Sequence, residues 1–126
     1  PTRRPAQSFW PKEWRQDQTL LTAFQRSVPW YFQEMALEIG VDRYRSFLTR
    51  FGYGNCEVGG GSDDFWLNPA PPKPRLTISM REQIAFLRAL TGRRLGISDR
   101  TMAALKEAAA LQAASGHDYF GKTGLG

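Results

Sequence analysis

The run Tyr119-Phe120-Gly121-Lys122-Thr123-Gly124-Leu125-Gly126 sets an ammonium beside a hydroxyl, with small residues on both sides. Read as a short strand, it presents a cation, a hydroxyl donor and open backbone to an anionic ligand. Other chemistry-bearing types are sparse. Cys56 and His117 are the single cysteine and histidine, which excludes an internal disulfide and any multi-cysteine zinc site. Together they make a poor metal or nucleophile pair, so no metal and no cofactor are expected. Ser27 lies just ahead of Pro29, and its position alone reads as a helix cap.

The elements that must position these groups are mostly helical. Pro1 to Pro11 is a loop-like arm whose Trp10 and Trp14 anchor it to the body. Asp17 or Thr19 can cap a short helix over 20–26. Pro29 suits the first position of the next helix, where no N–H is needed. Phe32, Met35, Ala36 and Ile39 share one stripe of that helix, and Gly40 ends it. Asp42 can cap a third helix, along which Tyr44, Phe47, Leu48 and Phe51 repeat the spacing.

From Gly52 to Asn68 the chain is a glycine-rich loop, long for a compact domain and of the kind that binds or lines active sites. Phe65-Trp66-Leu67 should pin its far end, and Pro69 to Pro74 make a stiff spacer. Ser79 and Glu82 form a capping box for a helix carrying Ile84, Leu87, Phe86 and Leu90. Ser98 caps a last helix expected to run to about Ala114. Residues 119–125 then form one strand. A single buried strand leaves unmade hydrogen bonds at ~1–3 kcal/mol each. Its sheet partners are therefore expected before Pro1, after Gly126 or on another chain.

The bulk figures agree with one globular domain, or part of one. The chain has 126 residues, 41% hydrophobic and 13% aromatic, which argues against disorder. Its net charge is +5, yet its arginines are scattered in ones and twos rather than in a block. They read as solvated helix faces, and no nucleic-acid partner is expected. No apolar run approaches the length of a membrane span.

Taken in order, Ser27, Tyr53-Gly54-Asn55, Phe65-Trp66-Leu67 and Lys122-Thr123-Gly124 resemble the serine penicillin-recognising enzymes, most closely the class D (oxacillinase-type) β-lactamases. The likeness runs from about Trp14 to Gly126. It includes Trp14 to Leu20 ahead of the second motif and Leu76 to Leu87 in the following helix. It implies an α+β β-lactamase/transpeptidase-like domain. This chain would supply the domain's helical part over 15–114, its active-site loop over 52–68 and one strand over 119–125. The residues match the middle of the family domain, and no Ser-x-x-Lys nucleophile motif occurs among them.

The resemblance implies a role for each matching position. The nucleophilic serine and its lysine, carboxylated by CO2 in class D enzymes, would lie outside this chain. Ser27 would relay a proton to the lactam nitrogen. Lys122 and Thr123 would hold the substrate carboxylate and steer that relay, beside Gly124, and Leu125 would offer a backbone N–H to the oxyanion. Trp66 would hydrogen-bond the carboxylated lysine and Leu67 would shield it. Tyr53, Gly54 and Asn55 would hold the turn. The implied ligand is a β-lactam and the implied compartment periplasmic or secreted, while the 126 residues alone should be inactive.

Two departures qualify the likeness. Pro29 stands where class D enzymes usually carry valine, which alters the apolar lid. Trp30-Tyr31-Phe32 looks more like the penicillin-sensing domains of transmembrane receptors, which are acylated but deacylate poorly. A sensor of that kind is the alternative to a hydrolase.

Overall fold

A computed structural model of the chain describes residues 7–59, 75–114 and 117–123. Its elements are a short 3-10 turn at Lys12–Trp14, helices α1 (Leu20–Gln25), α2 (Pro29–Ile39), α3 (Val41–Phe51), α4 (Met80–Thr91) and α5 (Asp99–Ala109), and strands β1 (Ala110–Ala114) and β2 (His117–Phe120). They fall into two compact units, Pro1–Phe32 with Ser98–Gly126, and Gln33–Ile97.

In the first unit, α1 opens on Thr19, whose hydroxyl accepts from the Thr22 N–H while the Thr22 hydroxyl takes the Thr19 N–H. Two free donors of the helix start are thereby satisfied. The helix closes with the Ser27 N–H on the Phe24 carbonyl (3.2 Å) and the Val28 N–H on the Ala23 carbonyl (2.9 Å). This pairing is the Schellman ending, which requires a left-handed residue just past the helix. Ser27 is that residue, at φ +52°. Ala23 and Val28 are both fully buried beneath the turn. Pro29 occupies the first turn of α2 as expected, and Trp30 and Tyr31 bury their rings directly after it.

The end of the chain differs from the sequence reading. Helix α5, capped by Ser98 on the Thr101 N–H, stops at Ala109 rather than near Ala114, and packs against α1. Residues 110–114 instead form β1, antiparallel to β2, with Ala110 opposite Phe120, Leu111 opposite Tyr119 and Ala114 opposite His117. One extra residue on the β1 side makes a bulge between Leu111 and Ala114. Alanine-rich sequence favours helix, and strand pairing overrides that preference here. The expectation that every sheet partner lies outside the chain is corrected by β1. The strand itself spans 117–120, and 121–123 continue without regular structure.

In the second unit, α3 starts on Gly40, with no side-chain cap; Asp42, the expected cap, sits in the first turn and pairs with Arg45 at 3.2 Å. Gly52 closes α3 in the left-handed conformation. The face of α4 that packs carries Phe86, whose ring lies edge-on to Tyr53 at 4.8 Å and near Phe51 at 6.3 Å. Ile84 and Leu87, the apolar residues named beside Phe86 and Leu90 from the sequence, are exposed along with Met80. The Ser79–Glu82 capping box forms as expected, with the Ser79 N–H on the Glu82 carboxylate at 2.8 Å.

Candidate functional site

Lys122 is the second residue after β2, and its position is set by the hairpin and by α5. The Gly121 N–H donates to the Ala109 carbonyl at 2.8 Å, so the backbone next to the lysine is tied to the last residue of α5. From there the Lys122 ammonium reaches back 95 residues in sequence and donates to the Ser27 hydroxyl. It also donates to the Thr123 carbonyl at 2.8 Å and the Thr123 hydroxyl at 3.3 Å. All of these residues belong to the first unit.

The consequences follow from donor and acceptor chemistry. An ammonium has only donors, whereas a hydroxyl has one donor and two lone pairs. Taking the Lys122 N–H into one lone pair leaves the Ser27 O–H proton free to point at a third group. Lysine, serine and an incoming acceptor would then form a proton-relay line. Ser27, Lys122 and Thr123 are exposed, so a ligand can reach them. The Phe24 ring lies 6.0 Å from the Lys122 nitrogen, at the edge of cation–π range. Phe24 therefore meets both partners, Ser27 through its carbonyl and Lys122 through its ring.

The Ser27 turn is braced from the arm. The Trp14 indole N–H donates to the Arg26 carbonyl at 3.0 Å, and the Trp30 indole N–H donates to the Trp14 carbonyl at 2.9 Å. Trp10 meets Trp14 edge-on at 6.5 Å, and Arg15 holds the Trp10 carbonyl at 2.7 Å. The sequence marked Trp10 and Trp14 as anchors of the arm, but gave no sign that the anchor point is the residue beside Ser27. No pattern marked Phe24.

In the second unit, Tyr53, Gly54 and Asn55 organise a turn. The Tyr53 hydroxyl donates to Gln83 at 3.0 Å. The Asn55 side-chain oxygen accepts from the Thr77 and Glu57 N–H groups at 3.0 and 3.2 Å, and its amide donates to the Arg75 carbonyl at 3.0 Å. Gly54 has φ +56°, and a Cβ there would fall 2.0 Å from the Thr77 carbonyl oxygen, so no other residue fits. Trp66, Leu67, Gly124 and Leu125, the remaining expected site residues, lie outside the described residues. Among the described residues, no three His, Cys, Asp or Glu side chains gather as a metal would need. No helix among them is long and apolar enough to cross a membrane.

Comparison with known proteins places the chain in a group. The family model for the penicillin binding protein transpeptidase domain matches residues 2–126. A curated relative, beta-lactamase OXA-10 of Pseudomonas aeruginosa, is 37% identical over 114 residues, which cover 90% of this chain and 41% of that protein. The probable beta-lactamase YbxI of Bacillus subtilis is 34% identical over 113 residues, 90% of this chain and 40% of its own length. Among solved structures, the class D beta-lactamase BAT-2 delta mutant superposes with a TM-score of 0.84 at 33% identity, over 98% of this chain and 50% of that one. The C-terminal domain of the Bacillus licheniformis BlaR penicillin-receptor gives 0.83 at 29% identity, over 96% and 47%. The chain thus spans about 40% of the length of the curated relatives it matches.

Proposed function

The chain belongs to the penicillin binding protein transpeptidase domain family, and from that premise we propose that it is part of a class D-like serine enzyme that hydrolyses β-lactams. The observation that carries the proposal is the Lys122 ammonium on the Ser27 hydroxyl, which joins the two family motifs across 95 residues of chain. In the proposed reaction, a serine outside these residues attacks the lactam carbonyl carbon. The lysine carboxylated by CO2 would take the serine proton, the serine oxygen forms an ester, the carbonyl C–N bond breaks, and the nitrogen takes a proton through the Ser27 hydroxyl. Water, giving a proton to the same base, then attacks the ester carbon, the acyl C–O bond breaks, and the serine is regenerated as the opened product leaves.

Lys122 and Thr123, with Gly124, receive the substrate carboxylate. Leu125 supplies a backbone N–H to the oxyanion, and Trp66 and Leu67 hold and shield the carboxylated lysine. Tyr53, Gly54 and Asn55 are structural members of this set. The enzyme works in the periplasm or outside the cell. A Lys122→Ala substitution in the full-length protein removes a charged hydrogen bond to the carboxylate, so acylation by penicillins should slow about 10- to 100-fold. Unchanged stopped-flow acylation would take Lys122 out of the site.

A sensor that stays acylated is the second reading, favoured by Trp30-Tyr31-Phe32 and by the likeness to the penicillin-receptor domain. The two separate on the second step. A hydrolase releases its penicilloyl group within a catalytic cycle, whereas a sensor keeps it.

A further inference from the structure

We propose that Trp14 is a positioning residue for Ser27, backed by Trp30, and that its indole N–H sets the orientation of the serine hydroxyl. The role rests on the reading of Ser27 given above. The Arg26 carbonyl and the Ser27 N–H belong to one rigid peptide unit, and both of its ends are held. The Trp14 indole N–H takes the carbonyl at 3.0 Å, and the Phe24 carbonyl takes the N–H at 3.2 Å. With that plane fixed, the bond about which φ of Ser27 turns is fixed too.

A serine at φ +52° persists only where its surroundings leave it no alternative. The Arg26 carbonyl is one of the free acceptors at the end of α1, and without Trp14 it would lose this partner. Trp30 closes the arrangement from the other side of the serine. It is 2% exposed, so its N–H needs a partner inside the protein, and the Trp14 carbonyl provides one at 2.9 Å. The residues before and after Ser27 are therefore both tied to Trp14.

The test is a double-mutant cycle in the full-length protein, read by stopped-flow acylation with a chromogenic cephalosporin. Trp14→Phe keeps a ring and loses the N–H. Acylation should slow about tenfold in an otherwise wild-type protein and by no further factor in a Ser27→Ala background. An equal loss in both backgrounds would mean that Trp14 acts on the substrate or on folding in general, and would overturn the proposal. Amide hydrogen exchange provides the second readout. Trp14→Phe should speed exchange at the Ser27 and Val28 amides while leaving those of α5 unchanged, and unaltered exchange at Ser27 and Val28 would refute the brace. Should Ser27→Ala leave acylation intact, the relay assigned to Ser27 falls, and the exchange measurement alone decides whether Trp14 holds the turn.

Discussion

Ser27 holds a backbone conformation that glycine would adopt without strain. For a residue with a Cβ, the left-handed region costs ~1–2 kcal/mol. Gly52 ends α3 in the same region with no such penalty. The hydroxyl of Ser27 meets the Lys122 ammonium, and under the proposed relay that contact gives the strained position a chemical use. Ser27→Gly should therefore raise the unfolding free energy of the full-length protein by about 1 kcal/mol. The same substitution should lower β-lactam acylation about 10²-fold, the lower end of what a positioned proton donor contributes. Denaturant unfolding and acylation kinetics on one sample check both halves, and a loss of stability would contradict the strain argument. Motif order singled out Ser27 and Lys122, and the structure brings their side chains together. The conformation was not, because serine carries no signal for a left-handed turn. The indole bonds of Trp14 and Trp30 were equally hidden, since they join residues 12 and 16 apart with no helical or strand period.

At the level of elements, local chemistry was the readable part. Thr19, Ser79 and Ser98 cap their helices and Pro29 starts another, each for a reason confined to a few adjacent residues. One misread boundary was decided at a distance and one locally. Residues 110–114 have helical composition and become strand because β2 offers a ladder. Gly40 displaces Asp42 as the start of α3.

One cap also carries a pH signature. The Ser79 hydroxyl, then the Ser79 backbone N–H, hold the Glu82 carboxyl below the usual carboxylate range. A carboxyl depressed in the folded state contributes its stabilisation above the unfolded value and loses it as pH falls through the folded value. The start of α4 should therefore fray on acidification, seen as faster amide exchange at Glu82 and Gln83 once intrinsic exchange is corrected for. Glu82→Gln, which keeps a capping oxygen without a charge, should flatten that acid response. A response identical to wild type would assign it to another group.

On the scale of the whole molecule, family membership was legible because four short motifs occur in a fixed order along the chain. Composition and charge alone would have given only a basic globular domain. The 126 residues contain no Ser-x-x-Lys and span about 40% of the curated relatives. This polypeptide by itself should form no covalent adduct with penicillin, as mass spectrometry would show. The full-length protein should be acylated rapidly and turn over faster with bicarbonate, which sustains lysine carboxylation. Absence of a bicarbonate effect would count against the hydrolase and for the sensor.

The junction at Ala109 and Ala110, where helix passes into strand with no residue between, has a bearing on descent as well as on structure. Adding or removing one residue there would shift the register of β1 against β2 and carry Gly121, and Lys122 after it, out of step. The length of the span from Asp99 to Leu111 therefore bears on where the ammonium falls, and related chains should keep that length while their residues change.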